Sequence, residues 1–145
     1  MGDFSMNRSN RMRLSRHLQG QDIVLRGVTA LKYMELYVED HFTFDIETER
    51  IAIYSKVARD EENFDVKLVG DFSHLDYSDE CVVPCSTLSQ VVKDMLSEPE
   101  SMEQGALVES LANYYEEAGH FKELTVEDHQ IEAFQKLEKL AMSFY

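Results

Sequence analysis

The residue types most able to do chemistry in this chain of 145 residues lie between His74 and Cys85. Cys81 and Cys85 stand in a C-x3-C spacing, and zinc sites use cysteine pairs two to four residues apart. Just upstream, His74, Asp76, Asp79 and Glu80 form an H-x-D-x-x-D-E run whose oxygens could hold a hard cation. A zinc site needs two further ligands at suitable spacing. The stronger reading is therefore two small core side chains beside a solvated acidic loop, with no metal and no cofactor. The histidines at 17, 41, 120 and 129 are scattered among polar and acidic neighbours and read as surface residues. No serine or cysteine sits in a recognisable nucleophile elbow, and the six glycines build no phosphate loop. Carboxylate pairs such as Glu39/Asp40, Glu61/Glu62 and Glu116/Glu117 are what 28 acidic residues produce by chance. The expectation is a protein that is not an enzyme and that works by binding.

Two sets of residues are candidates for that binding. Tyr114 and Tyr115, followed by Glu116 and Glu117, put aromatic area beside charge, a composition that protein interfaces favour. With the acidic residues Asp76, Asp79 and Glu80 they form the expected contact for a protein partner. The second set is Arg8, Arg11, Arg13 and Arg16, which could reach nucleic-acid phosphates but also fits a solvated helix face. Residues 1–26 hold five arginines against Asp3 and Asp22, a net of +3, leaving nine basic and 26 acidic residues beyond, a net of −17. A body of that sign repels phosphates, so nucleic acid is expected only at the arm. No stretch approaches the roughly 20 apolar residues of a membrane span. The N-terminus lacks the apolar core of a signal peptide. The expected location is cytoplasmic, which suits two unpaired cysteines.

The elements that must position these residues follow from periodicity. Phe4 to Leu18 fits a short helix capped by Asn7 or Ser9 and stopped by Gly20. Ile23-Val24-Leu25 is an apolar run too short for a helix. Thr29 is placed to cap a helix reaching about Tyr37, and Phe42, Phe44 and Ile46 alternate as in a short strand. Strands are expected at 49–56 and 64–69, paired antiparallel across the polar loop 59–63, with a third at Cys81–Val83 ended by Pro84. Ser86 or Thr87 caps a helix from Leu88 to Leu96, whose Leu88, Val91, Val92, Met95 and Leu96 share one face. A helix over 102–117 ends at Gly119. Thr125 and Asp128 make a capping box for the last helix, whose buried face is Ile131, Phe134, Leu137, Leu140, Ala141 and Phe144. The fold class expected is α+β: a small antiparallel sheet of about three strands packed against four to five helices, with a helical C-terminal half. Residues 1–20 form the basic arm or short helix, and 21–145 one domain.

Arg26–Leu36 and Cys85–Leu96, read together, carry a further pattern. Gly27, Thr29, Ala30, Leu31 and Leu36 lie in a first helix; Ile51, Ile53 and Tyr54 close a strand; Asp94 and Leu96 sit in a later helix; Ala106, Leu107 and Leu111 follow in the next. In that order they resemble the core of the AbiEi-type abortive-infection antitoxins, the type IV antitoxin-like transcriptional regulators, over roughly residues 26–115. The resemblance implies a regulatory protein of a defence or toxin–antitoxin module that counteracts a nucleotidyltransferase-like toxin. Such antitoxins usually carry an N-terminal winged helix for operator binding, and about 25 residues are too few for a three-helix reader. The acidic body opens an alternative: a phage or mobile-element inhibitor that mimics nucleic acid in the basic groove of a defence nuclease, such as a CRISPR effector. DNA binding through the arginine arm is a third reading.

Overall fold

The computed structural model describes residues 11–37 and 50–143. Residues 11–18 are helical (α1), and Leu14 and Leu18, one turn apart, sink into the core while Met12 faces water. The beginning of the helix expected from Phe4, the Phe42–Ile46 alternation, and Arg8, His41, Phe144 and Tyr145 lie outside the described residues. Gly20, at a φ of 77°, takes the left-handed turn that ends α1.

The apolar run that was too short for a helix is the central strand, β1 (Ile23–Leu25). It is fully buried and leads directly into α2 (Gly27–Tyr33). Gly27 makes that corner with a φ of 56°, a conformation open to glycine and costly for other residues. Thr29 does not cap α2. The residue before the helix is Arg26, with no side-chain cap. Thr29 instead holds the neighbouring strand: its Oγ1 accepts from the Ala52 N–H at 2.9 Å and donates to the Arg50 carbonyl at 3.4 Å. The helix also stops at Tyr33, short of the expected Tyr37, and Glu35 follows at a φ of 63°.

The remaining strands are β2 (Ile51–Ser55), β3 (Phe64–Leu68), β4 (Tyr77–Ser78) and β5 (Cys85–Ser86). They form one five-stranded mixed sheet in the order β3-β2-β1-β5-β4. This corrects the expectation of three antiparallel strands on two counts. β2 and β3 run parallel, Ile51 opposite Phe64 and Ser55 opposite Leu68, and β1 and β5 are also parallel. The antiparallel pairs are β1–β2 and β4–β5. The loop 56–63 can return the chain to the start of β2 because about eight extended residues reach roughly 26 Å, more than the ~17 Å of a five-residue strand. Arg59 fixes the loop in that return. Its guanidinium donates to Gln21 Oε1 at 2.6 Å, pairs with Glu61 at 3.0 Å and lies 4.8 Å above the Phe64 ring.

The expected strand at Cys81–Val83 is a series of bends, and pairing resumes only after Pro84, whose carbonyl accepts from Leu25 N–H. Alternation sends Phe64 to one face, where it meets His17 of α1, and Tyr54 to the other, where it meets Asp94. With both faces covered, β2 is buried almost throughout.

The helical C-terminal half follows the sequence closely. α3 (Leu88–Ser97) starts at Thr87, whose Oγ1 accepts from Gln90 N–H, and it buries Leu88, Val91, Val92 and Met95. α4 (Gln104–Ala118) buries Leu107 and Leu111 and closes on Gly119, left-handed at a φ of 77°. The last helix differs. Its capping box is Glu127 with Gln130, two residues beyond the expected Thr125 and Asp128, and a 3₁₀ turn at Asp128–Gln130 precedes α5 (Ile131–Met142). Thr125 is used elsewhere, its N–H donating to Ser89 Oγ at 2.9 Å. The buried face of α5 is narrower than expected, consisting of Phe134, Leu137 and Ala141, with Ile131 45% and Leu140 44% exposed. One buried cluster takes residues from α1, β1, β2 and all four later helices. Among the described residues no helix is long and apolar enough to cross a membrane.

Candidate functional site

A cavity of about 390 Å³ opens between the start of α1, the end of α2, β4–β5, the first turn of α3 and the far end of α4. It brings together three of the sequence-predicted residues, Arg11, Asp76 and Tyr114, from three different stretches. Arg11 lies 4.8 Å above the Tyr33 ring, donates to Cys81 Sγ at 2.9 Å and pairs with Glu35 at 3.8 Å. Tyr33 is buried, and its hydroxyl is shared with Ser15 Oγ at 3.0 Å and accepts from Val83 N–H at 3.3 Å. This phenol therefore ties the bends after β4 to both α1 and α2.

The two cysteines part company here. Cys81 is exposed at the edge of the cavity, which corrects its assignment to the core, whereas Cys85 is buried as expected. Pro84 between them turns the chain from the surface into the sheet. Burial pushes the Cys85 thiol up to about 12 against the opposing pull of Arg11. The neighbouring Ser86 also lines the cavity, and its Oγ is buried without a hydrogen-bond partner among the described residues. Asp76 is held by its backbone: its N–H donates to Gln90 Oε1 at 2.8 Å and its carbonyl accepts from Thr87. Tyr114 and Glu123 also line the cavity. The Tyr114 hydroxyl is shifted upward by desolvation and by the charge and hydrogen bond of Glu123.

The other predicted contacts do not converge on this cavity. Tyr115 is half-buried and packs on Phe121 with ring centroids 5.1 Å apart; Phe121 stacks in turn on Tyr114 and meets Phe134 edge-on. Glu116 and Glu117 are exposed on the last turn of α4, and Asp79 and Glu80 on the bends after β4. Arg13 and Arg16 are exposed on α1. His74 lies 3.9 Å from Asp71, and the described residues contain no group of three or more histidine, cysteine or acidic side chains able to hold a metal.

A second, more polar pocket of about 310 Å³ lies beside β2 and α3 and was not singled out from the sequence. Arg26, Thr29, Asp65 and Asp94 are among its walls. Arg26 donates to the Ile53 carbonyl at 3.1 Å and pairs with Asp65 at 3.1 Å. Asp94 accepts from the Tyr54 hydroxyl and, at 2.9 Å, from Gln90 Nε2. Burial, together with the hydrogen bond and charge of Asp94, drives the Tyr54 hydroxyl well above the ordinary tyrosine range. Gln90 thus links the two pockets, touching Asp76 at one and Asp94 at the other. The signal available in sequence was only that Gly27, Thr29, Tyr54 and Asp94 belong to the same pattern. No protein-family model matches the chain, and no characterised protein or solved structure matches it either.

Proposed function

We propose that this chain is a non-enzymatic, antitoxin-like regulatory protein that acts by binding a macromolecule, the partner implied being a nucleotidyltransferase-like toxin. The observation that carries this reading is the meeting of Gly27, Thr29 and Asp94 around one pocket, with Tyr54 hydrogen-bonded to Asp94 behind it. They come from three separated segments, and each was marked by the same resemblance. Thr29 bonds Ala52, Gly27 packs near it, and Tyr54 bonds Asp94, so the pattern describes one interlocked unit. Positions that interlock support a scaffold on which a partner-binding surface is displayed. Coexpression with a co-encoded toxin of that class tests the reading. Growth should be restored and the two proteins should co-purify; growth arrest that persists despite soluble coexpression overturns it.

A second reading is supported by how the cations are used. Arg11, Arg26, Lys56, Arg59 and Lys67 are each paired with a carboxylate. Exposed acids remain at 60, 62, 79–80, 116–117 and 127–128. A surface of this kind can occupy a basic nucleic-acid groove of a defence nuclease. Inhibition of such a nuclease should weaken steeply between about 50 and about 300 mM salt, because exposed charges are screened over that range. Inhibition that ignores ionic strength removes this reading.

A further inference from the structure

Two strands bound the sheet, and they are built differently. β4 spans two residues and runs into bends, which leaves little for another strand to pair with. β3 spans five, in unbroken register with β2 from Phe64 to Leu68, without a bulge or a proline. Along a parallel pair, alternate residues turn their backbone groups toward the neighbouring strand. Asn63 and Val69 do so here, the first accepting from Ile51 N–H and the second donating to the Ser55 carbonyl. Asp65 and Lys67 share that side, so Phe64, Val66 and Leu68 turn their backbone outward. The Phe64 N–H is taken by the Glu61 carbonyl at 3.1 Å. The Val66 and Leu68 N–H groups, and the carbonyls of all three residues, have no partner among the described residues. A regular edge with open backbone groups is a template for another strand.

The order of charges along the edge selects the occupant. Phe64-Asp65-Val66-Lys67-Leu68 reads apolar, acidic, apolar, basic, apolar, with Val66 at its centre. Laid antiparallel on a copy of itself with Val66 opposite Val66, the strand puts each Asp65 opposite a Lys67 and each Phe64 opposite a Leu68. The outward-turned residues then meet as hydrogen-bonded pairs: Val66 with Val66 in both directions, and each Leu68 N–H with the opposing Phe64 carbonyl. Asp65 and Lys67 fall at the positions between, where opposing side chains come closest. Both are half-exposed, and within one chain Asp65 pairs with Arg26 at 3.1 Å and Lys67 with Glu98 at 2.5 Å. Across the joined edges the charges would run Arg26, Asp65, Lys67, Glu98, alternating in sign. A slip of two residues either way sets Asp65 against Asp65 or Lys67 against Lys67, so this register is specified. An edge guarded against self-pairing presents like charges to its copy; this one presents opposite charges. Leu68, 58% exposed, gains the opposing Phe64 as a neighbour on the same face.

We propose that β3 is a self-association edge: two copies of the chain pair antiparallel about a two-fold axis at Val66 and join their sheets into one. The contact stands whether or not the chain counteracts a toxin.

Sedimentation equilibrium and amide hydrogen exchange of the full chain test it, at about 150 mM salt to screen the mutual repulsion of two acidic chains. One strand pair makes a small interface, below about 1,200 Å², so association is followed up to about 1 mM protein. The mass should double over that range, and exchange of the Val66 and Leu68 amides should slow at least roughly tenfold as dimer accumulates. Lys67→Glu and Asp65→Lys should each weaken the dimer at least roughly tenfold, because each leaves an edge of one sign. An equimolar mixture of the two variants should recover it, because every acid then faces a lysine. The proposal is overturned by a chain that stays monomeric to about 1 mM. It is equally overturned by a dimer whose Val66 and Leu68 amides exchange as in the monomer, by a dimer that both variants leave unchanged, or by two folded variants whose mixture restores nothing. Slow exchange of those amides in a chain that stays monomeric gives the edge to another segment of the same chain and also overturns it.

Discussion

Four residues apart, Cys81 and Cys85 occupy opposite environments, and a thiol reagent should separate them. A cysteine reacts where a reagent can reach it, and Cys81 is exposed whereas Cys85 is buried. Native protein should therefore lose one thiol quickly to a disulfide reagent, and the second only on addition of denaturant. Cys81→Ser should abolish the fast phase; two fast thiols in the native chain would contradict the burial of Cys85.

Tyr54 gives a second prediction at the same scale. Its hydroxyl donates to Asp94, and Phe at this position leaves that carboxylate with Gln90 alone. Tyr54→Phe should cost about 1.5 kcal/mol in urea unfolding, the lower end for a hydrogen bond to a charged group. Both Tyr54 and Cys85 have their folded-state acidity weakened by burial. Each is neutral when protonated, so the native state holds these protons more tightly than the unfolded chain does. Their contribution is complete below the unfolded values and is lost as the unfolded chain ionises. Stability should fall as pH rises from about 9 toward about 12, and Cys85→Ala should flatten the first part of that decline.

At the scale of elements, the features visible in sequence were those decided locally. α3 announces itself through an N-cap and a five-residue apolar stripe, and Thr87→Ala should cost about 1 kcal/mol of stability in denaturant melts. α4 is equally plain, because Gly119 ends it in the left-handed conformation that glycine supplies. The misread elements were decided by distant contacts. An antiparallel β2–β3 hairpin and the observed parallel pair have the same alternation; what distinguishes them is Arg59 reaching Gln21 and covering Phe64. Thr29 has the residue type of a cap, but its hydroxyl is claimed by a strand that follows twenty residues later. Glu127 and Gln130 outcompete Thr125 and Asp128 because Ser89 has already engaged Thr125. The site was legible in the same uneven way. Arg11, Asp76 and Tyr114 were marked by type, but Tyr33 and Ser86 look like ordinary core residues until the fold sets them around one cavity.

For the whole molecule, charge is the dominant property. A net charge of −14 on 145 residues repels itself, and the repulsion is screened within about 10 Å at 0.1 M salt. The midpoint of thermal unfolding should therefore rise when salt is increased from about 10 to about 150 mM, the opposite of what a fold resting on its surface ion pairs would show. A flat or falling midpoint would mean that pairs such as Lys67–Glu98, at 2.5 Å, outweigh the excess of carboxylates.

The place of β1 has a consequence for how the chain comes off the ribosome. This strand is made early, yet it lies in the middle of the sheet, and the segments that flank it are β2 and β5. A nascent chain that has emerged only as far as Gly70 can cover one side of β1 and must leave the other unpaired until Cys85 and Ser86 arrive. Such an edge, apolar and fully formed, invites pairing with a neighbouring chain. Fragments ending between Gly70 and Pro84 should be aggregation-prone and dependent on holding chaperones, and extension through α3 should be the step that releases them.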